Sequence, residues 1–144
     1  LMNSSPNEDA FGRPMKVGRE EIIGVWLAAE KYAQLDFAAL DRQLLDQAEY
    51  LARELRKIPG LQVGFAPYEK HRRIHRVVVQ WDERTRGLTA DQAERQLLEG
   101  DHRIAVLRNQ PQGLKFALFL SDPGDERLVA RRMKEVFSQQ PPRL

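Results

Sequence analysis

Between Leu40 and Leu55, the residues Leu40, Leu44, Leu45, Ala48, Leu51, Ala52 and Leu55 fall on one stripe at helical spacing, and Pro59-Gly60 then closes the pattern. A stripe of this kind has to lie against another apolar surface. Proline cannot continue the helical ladder, and glycine serves the turn that follows. Beyond that point Leu61-Gln62-Val63-Gly64-Phe65-Ala66 alternates, and Ile74 to Trp81 is rich in β-branched residues. Both stretches read as strands. Helices that must cover one face of short strands define an α+β fold with a mainly antiparallel sheet.

The remaining elements follow from the same signals. Ile22, Ile23, Trp26, Leu27 and Ala29 recur at helical spacing, with Glu20 and Glu21 in the first turn opposing the positive end of the helix dipole. That predicts a helix from about Arg19 to Gln34, the first of a long pair. Asp82 to Gly87 reads as a polar loop. Thr89 with Gln92 three residues on forms a capping box and opens a short helix that ends at Gly100. Strands are expected at Arg103–Leu107 and Leu114–Leu120, and a last amphipathic helix from about Asp125 to Phe137. The expected order is a helix pair followed by β-β-α-β-β-α. Its divisions are a loop over residues 1–18, connecting helices over 19–58 and a small α+β domain over 59–144. The inward set is expected to include Leu44, Leu51, Val63, Val77, Val79, Ile104, Val106, Phe116, Leu118, Leu128 and Val129. Trp26, Trp81 and Phe119 are expected in the core as well.

Many kinds of chemistry are excluded. The chain has no cysteine, so disulfides and thiolate chemistry are absent, which fits a cytoplasmic protein. No apolar run approaches the length needed to span a membrane, and the polar N-terminus has no signal-peptide pattern. Lys and Arg total 23 against 21 acidic residues, a net charge of only +2, so a nucleic acid is not an expected partner. The one dense basic cluster, Lys70-His71-Arg72-Arg73 with Arg76 nearby, reads as a solvated loop and strand start, with a phosphate contact as the alternative. His71 and His75 are four apart but fall at a loop and a strand, and His102 falls in a turn, so no metal site is expected. No Gly-x-Ser-x-Gly elbow, phosphate loop or Gly-x-Gly-x-x-Gly is present, and no catalytic residue is assigned.

One segment is a candidate for chemistry, although on its residues alone a plain charged loop is the favoured reading. In Gly12-Arg13-Pro14-Met15-Lys16-Val17-Gly18-Arg19-Glu20-Glu21-Ile22, two cations flanked by glycines directly precede a helix start. Unpaired backbone N–H groups and the helix dipole there can add to Arg13 and Lys16 to hold an anion. An arginine suits a bidentate carboxylate or phosphate.

This stretch, with Asn3-Ser4-Ser5-Pro6-Asn7-Glu8 before it, resembles the GRPMKVGKEEI segment of selenocysteine synthase-like pyridoxal-phosphate (PLP) enzymes of the aspartate-aminotransferase fold. That group includes seryl-tRNA selenium transferase and D-glucosaminate-6-phosphate ammonia-lyase. Arg19 stands where lysine is commoner, a charge-preserving change. Looser similarity continues at Trp81-Asp82 before Gly87-Leu88-Thr89, at Gly100-Asp101 before Arg103-Ile104-Ala105-Val106, and at Pro123-Gly124-Asp125-Glu126.

The resemblance implies the C-terminal portion of a fold-type I enzyme, and the opening at Leu1 reads as a loop continued from a longer chain. A large upstream domain would bind pyridoxal 5'-phosphate and carry the Schiff-base lysine in a Ser-Gly-Gly-Lys-type setting, which this sequence lacks. Lys16 is therefore not that lysine, and this segment alone is expected to be inactive. The implied whole is a homo-oligomeric lyase or transferase acting on a small molecule, an amino acid or amino sugar acid. Arg13 and Lys16 would contact substrate or phosphate. The competing expectation is a free-standing, non-catalytic α+β binding or interaction module.

Overall fold

The structure, a computed structural model, describes residues 17–68, 70 and 73–138. Its elements are α1 (Arg19–Ala33), α2 (Phe37–Leu55), β1 (Gln62–Phe65), β2 (Arg76–Gln80), α3 (Glu83–Arg86), α4 (Ala90–Leu98), β3 (Leu107–Arg108), β4 (Leu114–Ala117) and α5 (Asp125–Ser138). The four strands form one antiparallel sheet in the order β1-β2-β4-β3. The α+β class and the antiparallel sheet are as the sequence implies. The chain divides into two compact units, Leu1–Phe37 and Ala38–Leu144.

In the second unit the strand register is the one expected. Val77 and Val79 are fully buried, while Arg76 and Val78 are only partly covered. Opposite them, Val77 pairs with Phe116 and Val79 with Leu114, so β2 and β4 present one continuous apolar face. Ala48, Leu51, Ala52 and Leu55 of α2 join Leu97 of α4 and Met133, Val136 and Phe137 of α5 in the core built on that face. Each fully buried leucine contributes about 1.5–3 kcal/mol of transfer free energy. Trp81 sits at the end of β2 and packs edge-on against Phe137, with ring centroids 5.0 Å apart. Its indole N–H donates to the Leu88 carbonyl at 2.7 Å, so burial leaves that donor satisfied. Of the expected inward set, Leu44, Val63, Val106 and Leu128 are half-buried and the rest are buried.

Several local expectations are corrected. The polar loop after Trp81 contains a one-turn helix, α3, because the Asp82 carboxylate caps it, accepting from the backbone N–H groups of Arg84 at 2.9 Å and Thr85 at 3.4 Å. Of the expected strand Arg103–Leu107, only Leu107 pairs with β4, together with Arg108; the Ile104 N–H instead donates to the Leu97 carbonyl at 3.0 Å. The strand from Leu114 stops at Ala117, because the Ser121 N–H turns back to the Leu118 carbonyl, and Phe119 is left half exposed at that turn.

The largest difference concerns α1. It forms where expected, but it has no buried residue, and Trp26 is 70% exposed. Ile22, Ile23, Val25, Trp26 and Leu27 spread over an arc of about 200°, and all five are more than half exposed. An apolar arc of that width ordinarily lies against another surface.

Candidate functional site

Arg13 and Lys16, the expected anion-binding pair, lie outside the described residues. The helix start beyond them can be read. Gly18 is the N-cap of α1 in an ordinary extended conformation (φ −73°, ψ 163°). Its N–H donates to the Glu21 carboxylate. A Cβ at position 18 would come within 2.5 Å of carboxylate oxygens of both Glu20 and Glu21. The close approach that favours glycine here is therefore made by the chain's own acids. Glu21 fills the anion role at the Gly18 N–H.

The three looser motif segments all have packing roles. In the first, Trp81 is held by Leu88, Asp82 caps α3, and the Glu83 carboxylate accepts the Ala90 N–H at 2.9 Å. Three hydrogen bonds, led by the Thr85 hydroxyl, hold the Asp82 carboxyl below its ordinary range. In the second, a side chain at Gly100 would overlap the Arg132 guanidinium, which lies across that position and donates to the Gln96 carbonyl at 3.1 Å. In the third, the buried Glu126 carboxylate accepts the Gly124 N–H at 2.8 Å and the Gln47 side-chain amide at 3.3 Å. Gln47 also donates to the Asp122 carbonyl at 3.2 Å, tying the Asp122–Gly124 turn to α2.

On the sheet face away from the helices, a groove of about 480 Å³ runs past Gln62, Gly64, Val78, Gln80, Asn109 and Lys115. Gly64 leaves its floor open, since a Cβ there would meet nothing within 4 Å. The lining is mixed polar and apolar.

A second polar cluster was not singled out from sequence. His75, expected within a strand and not as a metal ligand, is buried. Its Nε2 lies 2.9 Å from Asp41 Oδ1 on α2, and its Nδ1 lies 3.0 Å from the Tyr68 hydroxyl. Arg73 stands 3.6 Å from the other Asp41 oxygen, with its guanidinium 5.6 Å from the centre of the Tyr68 ring. Nothing in the sequence signals this grouping, since Asp41 is 34 residues away from His75. No group of three or more His, Cys, Asp or Glu residues able to hold a metal occurs among the described residues. His102 is exposed, as expected.

Comparison with known proteins places this architecture. No family model matches the chain. The solved structure of D-glucosaminate-6-phosphate ammonia-lyase superposes with a TM-score of 0.71 at 28% identity, covering 89% of this chain and 34% of that one. In sequence, D-glucosaminate-6-phosphate ammonia lyase of Salmonella typhimurium is 31% identical over 131 residues, covering 88% of this chain and 34% of the relative. By sequence and by fold, the chain is similar to about a third of that lyase. A 5'-C-glycyluridine monooxygenase-decarboxylase from Streptomyces is 29% identical over 136 residues, with 88% and 32% covered. The chain thus spans about a third of the length of the relatives it matches. These matches fit the C-terminal portion of a PLP-dependent enzyme.

The described residues do not by themselves fit that cofactor. Lys57 and Lys134 are both held by Glu54, at 2.5 and 2.7 Å, and Lys31 and Lys70 are exposed. Lys115 lies on the groove face of β4. None of these lysines is buried beside a set of groups that could cradle a phosphate.

Proposed function

We propose that this chain is the small-domain portion of a PLP-dependent lyase or transferase acting on an amino acid or amino sugar acid. The observation that supports this reading is a similarity that runs through nearly nine-tenths of the chain in both sequence and fold, yet through only a third of each relative. In this reading, residues 1–18 are the motif loop, 19–58 the connecting helices and 59–144 the small domain. The lysine-bearing large domain lies upstream, in a cytoplasmic homo-oligomer. The cofactor, when bound, serves as electron sink. Residues of this chain bind and orient: Arg13 and Lys16 hold a substrate carboxylate, a substrate phosphate or the cofactor phosphate of a neighbouring subunit. The exposed apolar arc of α1 supports a covering surface supplied by the upstream domain.

The test uses the protein expressed from the start of its reading frame. Borohydride treatment of the PLP-loaded protein is expected to fix pyridoxyl on one lysine outside these 144 residues. A stoichiometric adduct on Lys16 or another lysine of this segment overturns the reading, as does a reading frame with no lysine-bearing domain. In the same protein, Arg13→Ala is expected to weaken substrate or PLP binding about 10- to 150-fold with the melting temperature unchanged, the loss of one charge-assisted contact. A lowered melting temperature with intact affinity instead assigns Arg13 to holding the loop.

A further inference from the structure

The cluster around His75 shares no residue with the site proposed above, and its geometry fixes the proton on one ring nitrogen. A carboxylate can only accept, so the 2.9 Å contact to Asp41 puts the imidazole proton on Nε2. In the neutral ring Nδ1 is then an acceptor, and the Tyr68 hydroxyl, 3.0 Å away, donates to it. The order is phenol, imidazole, carboxylate: a nucleophile hydrogen-bonded to a base whose other side is oriented by an acid. His75 itself is sealed, with 3% of its side chain exposed, whereas Tyr68 is 53% exposed. The base is sealed from solvent, whereas the tyrosine that it serves is half exposed. Arg73 places a positive charge by the ring, where it favours negative charge developing on the phenol oxygen.

We propose that Tyr68 is an activated phenol, a nucleophilic site for small activated acyl or sulfonyl groups, with His75 as its base and Asp41 as the group that positions the base. In the step, the Tyr68 oxygen forms a bond to the electrophilic carbon or sulfur. The bond to the leaving group breaks and that group departs with its electron pair, and the phenol proton passes to Nδ1 of His75. A purely structural reading, in which the three side chains only pin the β1–β2 connection to α2, predicts no special reactivity at Tyr68.

The chain supplies its own control, because it has three tyrosines and Tyr32 is exposed to a similar degree, 63% against 53%, with the Phe37 ring against it. The full-length protein is treated with benzenesulfonyl fluoride, whose leaving group is fluoride, and the rates at Tyr68 and Tyr32 are followed by peptide mass spectrometry. Base assistance contributes about 10²-fold or more in enzyme sites. Labelling of Tyr68 is expected to run at least about tenfold faster than labelling of Tyr32. His75→Gln is expected to bring Tyr68 down to the Tyr32 rate, and Asp41→Asn, which keeps the shape and removes the charge, to slow it severalfold. Equal rates at the two tyrosines in the parent protein overturn the proposal. So does an undiminished Tyr68 rate in either variant, because a loosened structural tie leaves an exposed tyrosine at least as open to the reagent. Should His75→Gln fail to fold, Asp41→Asn and the parent comparison still decide the matter.

Discussion

Replacing Gly113 with alanine tests how tightly the β3–β4 hairpin is fitted to the centre of the sheet. Gly113 has φ +98° and is buried, and its carbonyl accepts the Asn109 N–H at 3.0 Å. A side chain there meets two separate penalties. The left-handed backbone costs a non-glycine residue about 1–2 kcal/mol. The added Cβ would overlap the Val79 carbonyl oxygen and come within 3.1 Å of the Gln80 Cα. Those are backbone atoms of a paired strand, which cannot swing aside, and overpacking of this kind costs about 1–3 kcal/mol. Together the loss is about 2–5 kcal/mol. With a urea slope of about 1.5–2 kcal/mol/M, the unfolding midpoint should fall by about 1–3 M. Trp81 fluorescence can follow it, because that indole is buried in the second unit. Gly64→Ala is the matched control: nothing lies within 4 Å of its added Cβ and φ is unexceptional. It should leave stability unchanged or raise it by about 0.5–1 kcal/mol. If Gly113→Ala unfolds no more readily than Gly64→Ala, the argument from backbone geometry and close approach is wrong.

Three further outcomes are expected. Leu51→Ala should cost about 2–5 kcal/mol and Leu40→Ala under about 1 kcal/mol in the same unfolding assay, since Leu51 is fully buried and Leu40, on the same stripe, is 38% exposed. The Glu54 carboxyl is lowered from 4.5 to about 2, first by the hydrogen bond from Lys134 and then by that from Lys57. A depressed carboxyl adds stability above its ordinary pKa and loses it as pH falls, so the stability gap between the parent and Glu54→Gln should be constant above pH 4.5 and close between 4.5 and 2; a gap that persists through that window contradicts the assignment. Thr89→Ala should cost about 1 kcal/mol, because the Thr89 hydroxyl accepts the Gln92 N–H at 3.2 Å while the Gln92 side chain accepts the Thr89 N–H at 2.9 Å; an unchanged melting curve would show that the cap is idle.

The sequence by itself determined what depends on near neighbours along the chain. Periodicity placed α1, α2, α4 and α5, and alternation placed the register of β2, since a one-residue slip would have turned Val77 and Val79 away from the core. The Thr89 capping box was legible because its two partners are three residues apart. The motif around Arg13 and Lys16 pointed to a relative, and that relationship is visible in both sequence and fold. Tertiary structure decided whatever depends on distant residues. Periodicity reports that a face is apolar but not what covers it, so α1 could be located while the exposure of Trp26 could not be foreseen. The strand at Leu107 is short because pairing is set by the partner β4, and the Ile104 N–H found the end of α4 instead. The roles of Gly100 and Glu126 emerged only when Arg132 and Gln47 were brought against them. The cluster of Asp41, His75 and Tyr68 has the same origin: it exists because the sheet and α2 pack together, bringing side chains from two separate stretches of sequence within hydrogen-bond distance.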